Sequence, residues 1–516
     1  MKRTLKPSIL ARCALLAISA AMCITSSAQD TLEYSAEALG NGSTGHFAPY
    51  FIGSLNGGRI VRKASALADL SVKVDIDRSK RFSWGAGAEF IAGYSSANKY
   101  ERYLAEEKTW TLQENRPAPI WIQQLYGELK FRGVFLRIGQ KDHHSALLNE
   151  KLSSGDLTRS SNSRGIPGAE IGFIDFQNIP FTNGWVQIEG VVEYGKFMDS
   201  GFAREQYNYY SWMLATDTYF TYKRCYFRTK PAMPFSITIG MQTGGQFGGM
   251  TQFYYQGKLT KTEKRGFRFT DIFKMFLPIE GNGNYFYEGN SLGSWDFKAR
   301  YRLRNGDEIS FAFEWPWEDG SGIGRMNGLD GLWGLYYTSK SRRLINGVAI
   351  EWLDFRNQSG PMHWAPQDSP GTSITSQTTG GDNYYNNDTY TAYTNYGMAI
   401  ATPFLVSPIY NLNGYPAFQH CRARGVHLAL TGCIDRISLD YSVKYSWQQG
   451  WGMGRTPRAH SLIDNSALLD VNWNASSILN GFSVKAELAF DAGKLRGNNF
   501  GFLLGIRYSG AFKFRK

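Results

Sequence analysis

Beyond its first 28 residues the sequence has no apolar run of the roughly 18 residues that a helix needs to cross a bilayer, which excludes a helical membrane protein. Cysteine is scarce, five in 516 residues, and Cys13 and Cys23 fall within those first 28. The other three, Cys225, Cys421 and Cys433, are an odd number, which excludes a disulfide framework and leaves Cys421 with Cys433 as the one pairing an oxidising compartment would allow. No zinc-ligand spacing, no phosphate-cradling or dinucleotide-binding glycine motif and no spaced acidic calcium loop occurs, so no metal or cofactor is expected. The formal charge of +12 is carried by scattered residues rather than runs, so nucleic acid is not an expected partner.

Aromatic residues, by contrast, make up 15% of the chain, and there are 56 glycines. At the N-terminus, basic Lys2, Arg3, Lys6 and Arg12, an apolar stretch from Cys13 to Ile24 and small Ser26 and Ala28 describe a cleavable secretory signal over residues 1–28, with the mature chain, residues 29–516, beginning at Gln29. Lipoprotein processing at Cys23 is disfavoured by Met22, a poor small-residue position. Removing the signal's four basic residues lowers the charge to +8.

Behind the signal the chain keeps a two-residue rhythm. Leu125, Gly127, Leu129 and Phe131 alternate with Tyr126, Glu128, Lys130 and Arg132, and after a turn at Arg132-Gly133 the alternation resumes through Val134, Leu136 and Ile138. The same unit recurs as Leu70, Val72, Val74 and Ile76 against Ser71, Lys73, Asp75 and Asp77. It recurs again as Trp295, Phe297, Ala299, Tyr301 and Leu303 before Asn305-Gly306, a strong hairpin signal. Residues 29–68 read as a first strand followed by a Gly-rich loop or luminal segment, and 267–277 as a short helix within a long insertion.

Eighteen strands are expected, joined by nine long connections on one side and eight short turns on the other. Bacterial outer-membrane barrels have an even strand number, short periplasmic turns and long outer loops, and parity here puts both termini on the short-turn side. The expectation is an all-β transmembrane antiparallel barrel in the outer membrane of a Gram-negative bacterium, bounded by outer-membrane lipid and acting as a monomer. On this register Phe482, Val484, Ala486, Leu488 and Phe490 face lipid, while Ser483, Lys485, Glu487 and Asp491 face a lumen that is wet or filled by polar contacts.

Three groups of phrases carry a family likeness. QLYGELKFRGVFLRIGQKDH with LSSGDLTRS (Leu152 to Ser160), EWPWEDGSGIGRMNGLDGLWGLYY (Glu314 to Tyr337) and GGDNYYNN (Gly380 to Asn387) resemble the Wzi-type capsule assembly family of outer-membrane proteins, over most of the chain from Tyr34 onward. The resemblance implies an 18-stranded barrel that acts as a surface lectin and helps to hold capsular polysaccharide on the cell.

Sugar rings stack their C–H faces on indole and phenol rings, and their hydroxyls suit planar Asn, Asp, Glu and Arg partners. The candidate polysaccharide contacts are therefore Trp317, Glu318, Asp319, Trp364, Asp382, Asn383, Tyr384, Tyr385, Trp451 and Arg455, in loops or at strand ends. Trp315 and Trp447, which end strands, read as an interfacial girdle. Asp142-His143-His144-Ser145 places a carboxylate, imidazoles and a hydroxyl side by side, but triad members are brought together by the fold rather than by adjacency, so these read as solvated loop residues and no enzyme is expected. Asp156 and Asp330 read as turn residues. The alternative function is a porin or substrate-selective channel, which a mixed-sign lumen would also serve.

Overall fold

The computed structural model describes residues 31–276, 289–318, 328–358, 383–454 and 456–513. The 1–28 signal expected from the sequence lies outside them.

Eighteen antiparallel strands follow one another around a ring: β1 (Thr31–Phe47), β2 (Arg62–Val74), β3 (Phe82–Ser95), β4 (Ile120–Phe131), β5 (Val134–Gln140), β6 (Gly168–Phe173, resumed at Gln177–Asn178), β7 (Val186–Lys196), β8 (Tyr219–Thr229) and β9 (Phe235–Phe247) form the first half. The second half is β10 (Asn290–Arg302), β11 (Glu308–Glu318), β12 (Gly331–Thr338), β13 (Gly347–Asp354), β14 (Ala423–Ile434), β15 (Leu439–Gly452), β16 (Pro457–Asn474), β17 (Phe482–Gly493) and β18 (Asn499–Lys513). Each strand pairs with its sequence neighbour, and β18 pairs back onto β1 from Thr31↔Lys513 to Ser43↔Gly501. The sheet is closed, which leaves no unpaired edge whose N–H and C=O groups would each cost several kcal/mol in hydrocarbon.

The wall is inverted relative to a water-soluble protein. Along β17, Leu488 and Phe490 are about half exposed whereas Glu487 and Asp491 are buried, the register expected from the alternation. Along β18, Phe500, Phe502, Leu504 and Ile506 point outward. On β10 to β13 the outward residues form a cross-strand aromatic band: Trp295 opposite Trp315, Phe313 opposite Trp333, and Trp333 opposite Trp352, with the Phe313 and Trp333 rings 3.8 Å apart.

The short-turn end follows local chemistry. At Asn305-Gly306 the glycine adopts φ 88° and Asp307 N–H donates to Asn305 Oδ1, which closes the β10–β11 hairpin. The long-loop end departs from the sequence in two ways. The connections after β15 and β17 are tight, because β15 and β16, and to a lesser extent β17 and β18, extend beyond the apolar alternation; once both faces of a hairpin are wet, no pattern marks its length. For the same reason the polar connection expected between β3 and β4 contains a hairpin, Asn98–Leu104 with Thr109–Asn115, and the insertion after β9 contains another, Gly249–Tyr255 with Lys258–Arg265. Three short helices complete the described elements used below: α1 (Tyr50–Gly53), α2 (Ser200–Gln206) and α3 (Phe269–Phe276). The last sits where a helix was expected.

Cys421 lies just before β14 and Cys433 near its far end, and both are free thiols, as is Cys225. At about 3.3 Å per residue the strand holds the two far beyond bridging distance, so the pairing left open by the sequence is excluded.

Candidate functional site

Three connections from the long-loop end turn inward and fill the lumen: residues 48–61, 141–167 and 383–422. The middle one is fastened by its backbone. Ser154 N–H donates to Glu351 Oε2 (2.9 Å) on β13, Leu157 N–H to Glu314 Oε2 (2.8 Å) on β11, and Leu152 C=O accepts from His427 Nε2 (2.8 Å) on β14. Asp156, fully buried, gathers Thr158 N–H (2.8 Å), Arg159 N–H (3.1 Å) and the Gln242 amide (2.7 Å) of β9. Arg159 pairs with Glu193 of β7 and lies 4.9 Å from the Tyr222 ring. Hydrogen bonds of this kind contribute about 0.5–1.5 kcal/mol each, so the Leu152 to Ser160 phrase acts as a docking strip for a luminal plug. Asp156 is thus a turn residue, as its sequence suggests, and also the plug's anchor. The lumen left below this plug is a polar cavity of about 820 Å³ at the short-turn end, lined by Lys340, Arg342, Lys485, Glu487 and Arg507 among others.

Above the plug, at the long-loop end, lies a second cavity of about 410 Å³ between the Arg116 to Ala118 connection, α2 and Asn395-Tyr396. Its rim residues Arg116, Gly201 and Glu205 are exposed. Its floor holds two guanidinium groups. Arg164 lies between two rings, 4.7 Å from Trp121 and 4.6 Å from Tyr396, and burial lowers its affinity for a proton relative to an ordinary arginine. Arg62, buried, donates from Nη1 to Tyr100 Oη (3.2 Å) and from Nη2 to Asn115 Oδ1 (3.1 Å). Among the described residues no carboxylate lies within ion-pair distance of either. Arg59, also lining the cavity, differs: it is held by Asp142, Glu89 and Asp69.

A β-bulge creates this site. Pairing between β3 and β4 slips between Glu89 and Phe90, so Glu89 meets Gln124 while Phe90 meets Ile122. Without the slip, Trp121 would share the outward face of Leu125. With it, Ile120 and Ile122 point outward and Trp121 turns inward, its Nε1–H donating to Gln123 Oε1 (3.1 Å). Simple alternation therefore hides Trp121, and Arg164 reads in sequence as one more loop arginine.

The sequence candidates fall in several places. Trp317, Glu318, Tyr384 and Tyr385 are buried. Tyr385 Oη donates to Leu157 C=O (2.6 Å), joining the third inward segment to the second, and Tyr384 N–H donates to Gln358 Oε1. A Cβ at Gly293, opposite Trp317, would stand 2.6 Å from the indole. Asn383 Oδ1 accepts from Gly454 N–H and Cys421 Sγ, tying the plug to the end of β15. Trp451 is part-exposed on the outer rim, with Arg424 5.3 Å and Arg356 5.9 Å from its ring, and Arg356 forks onto Asp354. Asp319, Trp364, Asp382 and Arg455 lie outside the described residues.

Of the Asp142 to Ser145 run, His144 is exposed, as expected of a solvated loop, whereas Asp142, His143 and Ser145 are partly buried. Asp142 is clamped by Arg59 and Gln123, and His143 is half-buried edge-on to Tyr222 at 5.3 Å, because the segment enters the lumen. Ser145 Oγ donates to Glu150 Oε1 (2.8 Å) rather than to an imidazole. Burial raises the Glu150 carboxyl, but hydrogen bonds from His144, Ser161 and Ser145 outweigh it and hold the group at about 2. Among the described residues no cluster of three metal-ligating side chains occurs.

No protein-family model matches the chain, and no curated protein matches it in sequence. Among solved structures it resembles Wzi of Escherichia coli, an outer-membrane protein involved in group 1 capsule assembly and a carbohydrate-binding β-barrel, with a TM-score of 0.53 and 12% identity over 96% of this chain and 87% of that one. The chain is an outer-membrane β-barrel. OccAB4 of Acinetobacter baumannii (TM-score 0.44, 10% identity, 94% of this chain and 99% of that one) and OprD of Pseudomonas aeruginosa (0.44, 8%, 94% and 96%) are more distant in shape. At these identities what the barrels have in common with this chain is the fold.

Proposed function

We propose that this outer-membrane barrel binds an extracellular or capsular polysaccharide at its outer end and holds it at the cell surface, without chemistry on it. The observation that carries this is the cavity above the plug, where Arg164 and Arg62 face an open, aromatic-lined space with no carboxylate partner among the described residues. A buried guanidinium without an anion is costly, and an acidic sugar supplies one. Trp451 with Arg356 and Arg424 forms a second contact on the same rim. In this account Trp317, Glu318, Asn383, Tyr384 and Tyr385 shape the rim from beneath. The fold shared with Wzi suits such a role.

Deleting the protein releases capsule into the medium while synthesis continues; unchanged cell-bound polysaccharide in the deletion strain rules the function out. Trp451→Ala weakens binding of purified polysaccharide about fivefold to tenfold, while the heat-resistant migration of the folded barrel stays as in the unsubstituted protein. The rival, a substrate-selective channel, is favoured by the 820 Å³ polar cavity at the short-turn end, and steady conductance would support it.

A further inference from the structure

Helix α3, Phe269–Phe276, packs on the outside of the barrel. Its anchors all belong to the outward face of β7, β8 and β9. Tyr194 Oη donates to Ile272 C=O (2.6 Å), and Met275 lies over Gly245, where an added Cβ would stand 3.2 Å from the Met275 Cε. Just before the helix, the Phe267 ring lies tilted against Tyr219 (centroids 4.9 Å apart) and Phe247 (6.3 Å). Those strand residues alternate with buried, lumen-facing Phe220, Tyr222, Gln242 and Gln246, which fixes the helix on the lipid side of the wall.

Two features of that helix run against a setting in water. Asp271 and Met275 face the barrel, while Phe269, Phe273 and Phe276, within one arc at positions i, i+4 and i+7, point away from it and are 71%, 64% and 46% exposed. A helix on a watery surface presents the opposite face. The outward-facing residues of the neighbouring strands, Phe227 and Ile239, are similarly exposed at 41% and 51%, so the phenylalanine arc continues the apolar belt. The second feature is Lys223, an outward-facing cation in the wall of β8. Its Nζ donates to Met275 C=O (2.5 Å) and Phe276 C=O (3.0 Å). A lysine on the lipid face is costly near the midplane, and the carbonyl end of a helix, carrying roughly half a negative charge, offsets it. The helix therefore points its C-terminus inward along the wall, toward the hydrocarbon. Between Lys258 and Phe276 the chain carries six basic and two acidic side chains, and Lys258, Lys261, Lys264 and Arg268 are exposed on the approach to the helix N-terminus, which lies at the outer end of β8.

We propose that α3 is a lipid-binding element seated in the outer leaflet, its phenylalanines among the acyl chains and the basic approach residues on the phosphates of an acylated, phosphorylated saccharolipid. This site is separate from the polysaccharide cavity and stands or falls independently of it.

The test uses the full chain in nanodiscs with a Cys225→Ser background and spin labels at Phe273→Cys, at Ile239→Cys as the belt reference and at Tyr255→Cys as the aqueous reference. The label at 273 is expected to collide with oxygen and avoid a water-soluble nickel chelate, as at 239; behaviour matching 255 overturns the proposal. In parallel, native mass spectrometry compares bis-phosphorylated lipid A with its phosphate-free form. The unsubstituted protein is expected to retain the phosphorylated lipid at least fivefold more, and a Lys264→Ser, Arg268→Ser variant to lose that preference. Equal retention of the two lipids by the unsubstituted protein overturns the proposal as well.

Discussion

The guanidinium of Arg164 rests 4.7 Å from the indole of Trp121, one from an inward-turning loop and the other from a strand residue flipped inward by a bulge. The pairing orients a cation toward the outer cavity without neutralising it. Arg164→Gln keeps the planar shape and removes the charge, so it should weaken binding of an acidic polysaccharide about tenfold, or ~1.4 kcal/mol. Binding of the same polysaccharide after carboxyl reduction should be weak in both proteins, and equilibrium titration of the four combinations checks it.

The inverted wall makes its own prediction. Leu488 is half exposed at the middle of β17, between buried Glu487 and Ala489. Leu488→Arg should destabilise the barrel by about 2–4 kcal/mol in a denaturant titration in lipid. Leu488→Phe should leave it within about 1 kcal/mol, since it conserves the apolar contact with lipid.

Acid should loosen the plug before it unfolds the barrel. Glu150 is held at about 2 against an ordinary 4.5, so its contribution to plug docking is fully present above 4.5 and is lost as pH falls from there toward 2. Hydrogen exchange of residues 145–161, corrected for intrinsic rates, should rise by roughly tenfold between pH 6 and pH 3. Glu150→Gln should show the faster exchange already at pH 6 and little further change on acidification.

The barrel was legible because lipid on one face and polar contacts on the other impose an alternation that runs through the strands and is broken in β4 by a bulge. Phe482 to Phe490 shows it residue by residue. What alternation cannot carry is contact between distant segments. Leu152 to Ser160 reads as a loop, yet its backbone docks on Glu314 and Glu351, more than 150 residues away in sequence. Tyr384 and Tyr385 look like sugar platforms because exposed and buried aromatics share one composition; only the inward turn of their segment hides them. Trp121 is hidden within the alternation because a single slipped residue reverses the face of everything before it. Trp451 sits where its strand carries polar and aromatic residues past the apolar stretch, so its place at the rim is legible from the sequence.

The central claim is that the outer loops fill the barrel, so that it binds at its rim rather than conducts through its lumen. Single-channel recording of the purified protein in planar bilayers tests this most directly. A closed barrel with only brief, small openings at neutral pH is the expected result, and a steady ohmic pore would contradict the account.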